Sequence, residues 1–216
     1  MAIAPKPPPE NAQEVRKLLA KYKCPVPYHE VRTRFLGAIV TPERDSSPMP
    51  VIKSLWGGEL PPFENMEAVN ELLDVLVNGL WNALTRHQKR GAPFRLVELE
   101  PTPDRAGLAA FSLTRQQEID GFVEGLFNSK EKIDLPEKAS AAMNIIGEIR
   151  AMIAGVHTLT THEKNIGSDK DISITLGHLK SMTEILEREI NSVVLACARA
   201  RRQMFRDDGF TRKTLH

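Results

Sequence analysis

Asp120 and Glu124 stand one helical turn apart with Glu118 close by, and carboxylates at that spacing can share a divalent cation. The same spacing suits a solvated helix face, and no Glu-x-x-His pair accompanies it to complete a carboxylate-bridged centre. The histidines do not gather either. His157 and His162 are five residues apart and point to different sides of a helix, and "HEKN" at His162 lacks the second histidine of an HExxH zinc motif. His87, beside Arg86, reads as a cation at a helix end. Cys197 lies among Val194, Ala196 and Ala198, where a thiol behaves as a small hydrophobe with a raised pKa. Cys24, between Lys23 and Pro25, is the more exposed thiol, with no histidine placed by sequence to activate it. No CxxC and no GxSxG occurs. The expectation is no catalytic residue, no cofactor and no bound metal, with Asp120 and Glu124 as the candidates for a metal-dependent activity.

A second stretch, "SLWGGELPPFEN" (residues 54–65), has the glycines of a phosphate loop. No Lys-Ser/Thr follows them, and GxxxxGK[ST] appears nowhere in the chain. Gly57 and Gly58 fall where a helix needs a left-handed terminal residue, and Pro61 and Pro62 forbid its continuation. Asn65 then suits the N-cap of a new helix, with Glu67 in its first turn. The stretch is a helix stop and a helix start. Trp56 and Phe63 read as anchors of the turn, and Trp56, Gly57, Gly58 and Phe63 are also the residues of this turn that a partner would touch.

The elements that position these residues are helices. Apolar residues at spacings of three and four predict a short helix over 12–22, a second from Tyr28 to the Pro42 region and a brief one from about Met49 to Trp56. A long helix follows from Met66 to about Leu84, ending in "RHQKRG". Residues 92–111, with Pro93, Pro101, Pro103 and Gly107, read as an extended connector packed down by Phe94, Leu96, Val97 and Leu99. Thr114 and Gln117 have capping-box spacing and open the helix that carries Gly121 and Gly125, a GxxxG pair suited to close helix packing. Another helix spans Pro136 to about His162. The last, Ile172 to about Phe205, carries Leu179, Met182, Leu186, Ile190, Val193 and Cys197 close to a heptad seam, which makes it the packing or oligomer element. No segment alternates with period two, so the fold class is all-α: a multi-helix bundle with a long C-terminal helix.

Composition limits the functions available. The chain has 216 residues, 41% hydrophobic and 26% charged, with a net charge of +1, so no global field draws in nucleic acid or membrane. No run reaches the length of a membrane span before charge interrupts it, and the Pro-rich start is no signal peptide. A cytoplasmic protein follows. The local exception is Arg199, Arg201, Arg202 and Arg206 at the C-terminal helix end, followed by Arg212 and Lys213. These residues can touch nucleic-acid phosphates, or merely complement the helix dipole. Residues 1–10 and 208–216 are expected to be disordered tails, the former with a formal PxxP at Pro5 and Pro8. The segments 11–165 and 166–207 make a helical domain and a long helix packing on it or on a partner.

The stretch "RTRFLGAIVTPERDSSPMPVIKSLWGGELPPFENMEAVNELLDVLVNGLWNAL", with "EIDGFVEGLF" after it, resembles the YecA/YgfB-like bacterial family. In that family a "hGFLtG" helix and a loop precede a tryptophan-glycine turn, a long helix and a second "GFhxGh" helix. The resemblance covers roughly residues 28 to 160. It departs in three places: no tryptophan precedes Trp56, no C-terminal cysteine-rich zinc motif is present, and the helix from Ile172 has no counterpart in the pattern. The resemblance implies an all-α cytoplasmic protein, often dimeric, regulating through protein–protein contact and carrying no established catalytic residue. The expected function is a non-enzymatic regulatory or protein-interaction module with an unknown protein partner. The alternatives are a nucleic-acid-associated regulator using the C-terminal arginines and a metal-dependent activity at Asp120 and Glu124.

Overall fold

Asn65 does cap a helix, accepting a hydrogen bond from Ala68 N at 2.9 Å, and most of the expected helices form around such local signals. The computed structural model describes residues 11–42, 47–128, 130–162 and 168–213, with side chains up to Met204, Asp169 excepted. Among these residues the fold is all-α. Helix α1 is Ala12–Lys21, α2 Tyr28–Val40, α3 Pro48–Ser54 and α4 Met66–Leu73. A π-helical stretch, Asp74–Trp81, continues α4 into the short α5, Asn82–Leu84, and a 3-10 turn, Thr85–Gln88. After an extended connector come α6 Arg105–Phe127, α7 Glu137–His162 and α8 Asp169–Lys213. The N-terminal PxxP lies outside the described residues.

The centre of the fold is the crossing of α2 and α6, where three glycines let the two backbones touch. A Cβ on Gly125 would lie 1.9 Å from Arg34 O, one on Gly37 2.3 Å from Phe122 O, and one on Gly121 2.6 Å from Glu30 O. Phe35, Leu36, Ile119, Phe122 and Leu126 are buried around this contact. The GxxxG spacing of Gly121 and Gly125 thus serves helix packing within the chain. Helices α7 and α8 pack on each other and on α6. Leu179, Leu186, Ile190, Val193 and Cys197 of α8 are fully buried inside the single chain, so its heptad seam is internal packing.

Four local expectations need correction. Helix α6 begins at Arg105, not near Thr114, because Asp104 caps it by accepting from Gly107 N at 2.7 Å while Thr102 Oγ1 donates to Asp104 at 2.9 Å. Gly107, expected in a turn, therefore sits in the first turn of α6. Helix α8 starts at Asp169 behind a reciprocal Ser168–Asp171 cap (Ser168 N to Asp171 Oδ2 2.9 Å), and it runs to Lys213, through residues expected to fray. The long helix from Met66 loosens to π pitch, since apolar spacing specifies a buried face but not the number of residues per turn. His87, expected at a helix surface, is not on the surface. It is buried, its Nδ1 2.8 Å from Ala92 O and its ring edge-on to Phe94.

The tryptophan-glycine turn behaves as expected. Gly57 and Gly58 have φ of +80° and +110°, the left-handed region that terminates α3. One helix, α7, does reach the length and apolarity of a membrane span by composition alone, although the sequence pattern had suggested none. Its inward residues Ile146, Ile149 and Ile153 are buried in the core, and 28% of the apolar window is buried.

Candidate functional site

The α2–α6 crossing carries a charged cluster on one side. Arg34, 7% exposed, donates from Nη2 to Glu30 Oε1 at 2.6 Å and also pairs with Glu124. Asp120, one turn from Glu124, is gripped by Arg150 of α7 through Nε and Nη2. Burial pushes the Glu30 carboxyl up, opposed by Arg34 and reinforced by the Glu124 and Asp120 carboxylates. The two residues considered for a metal thus each face a guanidinium, and among the described residues no group of three or more His, Cys, Asp or Glu side chains is placed to hold an ion. Arg34 also lines a cavity of about 490 Å³ with Val51, Ser54 and Phe127. Its Nε is buried without a hydrogen-bond partner.

On another side, α6 and α8 clamp the connector, and sequence reading saw none of it. Asn191 accepts from Phe94 N at 2.8 Å and donates to Phe94 O at 2.9 Å. Glu187 accepts from Leu96 N at 2.9 Å, and Arg32 donates to Arg95 O at 2.6 Å. Glu118 accepts from Val97 N at 2.9 Å, while Arg115 donates to Val97 O at 2.8 Å and pairs with Glu118. Side chains from three helices stand where a neighbouring strand would be. They satisfy backbone groups that burial would otherwise leave costly. Burial pushes the Glu118 carboxyl up, with Arg115 the main opposing influence. The signal that existed was spacing: Glu187 and Asn191 lie one turn apart on α8, as polar positions beside its apolar seam.

The turn residues divide. Trp56 is half-buried and donates from Nε1 to Tyr22 O at 2.9 Å, and Phe63 packs edge-on against Tyr22 at 5.3 Å between ring centroids. Both anchor the turn to the end of α1. Gly57 and Gly58 are exposed. The histidines stay apart: His29 Nε2 lies 2.8 Å from Gln117 Oε1, His157 packs near Ser112, and His162 is exposed. Burial, together with the nearby Arg16 and Arg115, holds the His29 imidazole below its usual value. Burial pushes the Cys197 thiol up to about 12, and also raises Cys24, whose Sγ lies 3.6 Å from Leu55 O. A raised pKa leaves less of each thiol in the nucleophilic thiolate form at neutral pH.

The arginines expected at a helix end lie within α8, since it runs on to Lys213, and they divide as well. Arg201 turns inward, donating from Nη1 to Ile39 O at 2.8 Å and from Nη2 to Gln88 Oε1 at 2.7 Å. Arg199 and Arg202 are exposed, and the side chain of Arg206 lies outside the described residues.

Helix α7 presents an unexpected outer face. Ile145, Met152 and Leu159, seven residues apart, are 37%, 50% and 54% exposed. Gly147, Ala151 and Gly155, four apart, are exposed beside them, and a Cβ on either glycine would meet nothing within 4 Å. Glu148 is the one ionised residue among the exposed positions from Ser140 to Thr161.

No family model, no curated protein and no solved structure matches this chain.

Proposed function

We propose that the chain is a non-enzymatic protein-interaction module that pairs with a second copy of itself through the outer face of α7. The observation that carries the reading is that face. A helix side turned to water is normally charged, whereas this one offers three large apolar residues in heptad register around a row of small ones. Each of Gly147 and Gly155 costs an exposed helix about 1 kcal/mol relative to alanine. No contact among the described residues requires either, whereas a closely approaching helix would. Both rows are centred near Met152, so pairing α7 with its own copy, in either direction, sets Met152 against Met152 and matches the flanking apolar residues.

The resemblance to YecA/YgfB-like bacterial proteins supports the same reading, since that family is all-α, often dimeric and regulatory. On this reading the protein works in the bacterial cytoplasm, and the dimer presents its turns and cavities to a regulated partner. Trp56 and Phe63 serve the fold. Asp120 and Glu124 serve the fold through their arginines.

Light scattering on the purified chain tests the pairing. The native protein is expected at the mass of a dimer, and Met152→Glu, which drives a charge into an apolar contact without touching the core, at the mass of a monomer with an unchanged circular dichroism spectrum. A native protein of monomer mass, or a Met152→Glu variant that remains a dimer, contradicts the reading.

A further inference from the structure

Where the 3-10 turn, the start of α7 and the end of α8 come together, the surface folds into a cleft of about 650 Å³. Its walls carry Lys89 and Arg90 from just after the 3-10 turn, Lys138 from α7, and Arg199 and Arg202 from α8. No carboxylate lines it, and none of the five cations has an ion-pair partner among the described residues. Elsewhere several arginines of the fold face carboxylates, as in Arg34 with Glu30 and Glu124, Arg115 with Glu118 and Arg150 with Asp120. Here five like charges from segments up to about 110 residues apart in sequence converge with no counter-charge among the described residues. Like charges held together without counter-charges repel one another, and a concave wall concentrates their field on whatever enters.

The cleft is also braced. Arg201, between the two cleft arginines in sequence, ties α8 to the end of α2 and to Gln88, which itself lines the cleft. The scaffold thus fixes the spacing of the walls, and the outer cations keep their charge toward the cleft without a counter-ion among the described residues.

We propose that this cleft binds a compact polyphosphate group, such as inorganic tripolyphosphate or the phosphate tail of a nucleoside triphosphate. Its volume falls within the range of small-molecule sites. Several separate cations suit several phosphates held close together, with arginines able to take phosphate oxygens in pairs. Among its lining residues none is aromatic, so the cleft offers no platform on which the bases of a single strand would stack. Leu195 and Ala196 are its apolar contribution.

The test is calorimetric titration of the full chain with sodium tripolyphosphate, repeated with ATP, with adenosine and with a 12-nucleotide single-stranded RNA. Tripolyphosphate and ATP are expected to bind once per chain and to compete with each other, while adenosine gives no heat. Arg199→Glu with Lys89→Glu should weaken tripolyphosphate at least tenfold, and Arg199→Lys no more than a few-fold. Lys180→Glu, an exposed charge change on α8 outside the cleft, should leave the affinity unchanged. All of these positions are exposed, so thermal melts matching the native protein identify folded variants. Absence of binding by tripolyphosphate overturns the proposal, as does equal weakening by Lys180→Glu. RNA binding that tripolyphosphate fails to displace also overturns it, and assigns the arginines to a strand backbone instead.

Discussion

Gly125→Ala is expected to shift the urea unfolding midpoint far below that of the native chain, with a loss of about 3 kcal/mol or more. The added methyl would sit 1.9 Å from Arg34 O, and the atom it meets is helix backbone, which cannot rotate away as a side-chain tip can. Relief requires α2 and α6 to separate. That separation loosens the packing of Phe35, Phe122 and Leu126 on both sides of the crossing. Because native domains are stable by only about 5–15 kcal/mol, such a loss populates the unfolded chain measurably. Gly177→Ala is the control. A Cβ there meets nothing within 4 Å, so the usual gain in helix propensity should stabilise the chain by about 0.5–1 kcal/mol. A Gly125→Ala protein with the native midpoint would mean that the two helices do not cross at this glycine.

The second large effect lies at the connector clamp. Arg115→Met removes the cation facing Glu118, whose carboxylate is fully buried, and strips Val97 O of its donor. Breaking a buried ion pair from one side typically costs about 3–5 kcal/mol, mostly because a charge is left without compensation. Glu118→Gln in the Arg115→Met background should therefore recover about 1–3 kcal/mol, since the neutral amide can still accept from Val97 N. The sign of that coupling is the diagnostic. If the double variant is as unstable as the two single losses summed, the uncompensated charge is not the cause.

Much of this fold was legible in the sequence, and the limits of that legibility have physical causes. Helix stops and starts that rest on local chemistry read well: Gly57 and Gly58 end α3 and Asn65 caps α4. Asp104 follows the same rule, yet the denser proline and glycine signals from Pro93 to Gly107 outweighed it. The buried face of α8 was visible in its spacing. Whether that face meets the same chain or another was not, because periodicity identifies a buried stripe without identifying what buries it. The outer face of α7 is hard to read for a related reason: in an apolar helix, Ile145, Met152 and Leu159 have the same residue types as the core beside them. Only their exposure, with α6 and α8 already covering the other side, separates them from core.

The candidate sites were less legible still. The acidic pair at Asp120 and Glu124 met arginines from α7 and α2, residues 30 and 90 positions away, and no local pattern foretells such partners. The same holds for the basic cleft. Arg199 and Arg202 were visible as a cluster at an expected helix end, where the dipole alone would explain them, but α8 runs on past them, and Lys89, Arg90 and Lys138 join them only through the fold.

On the proposed reading α7 is the face through which two copies meet, and a single thiol tests it. In a Cys24→Ser background the remaining native thiol, Cys197, is buried, and burial pushes its pKa up to about 12, so Met152→Cys supplies the one exposed thiol among the described residues. Mild oxidation of that variant at micromolar concentration is expected to give a disulfide-linked dimer in nearly full yield, reversed by reductant and absent when the cysteine is placed at Lys180 instead. A Met152→Cys chain that stays monomeric on non-reducing gels, at the same oxidant and concentration, would contradict the account.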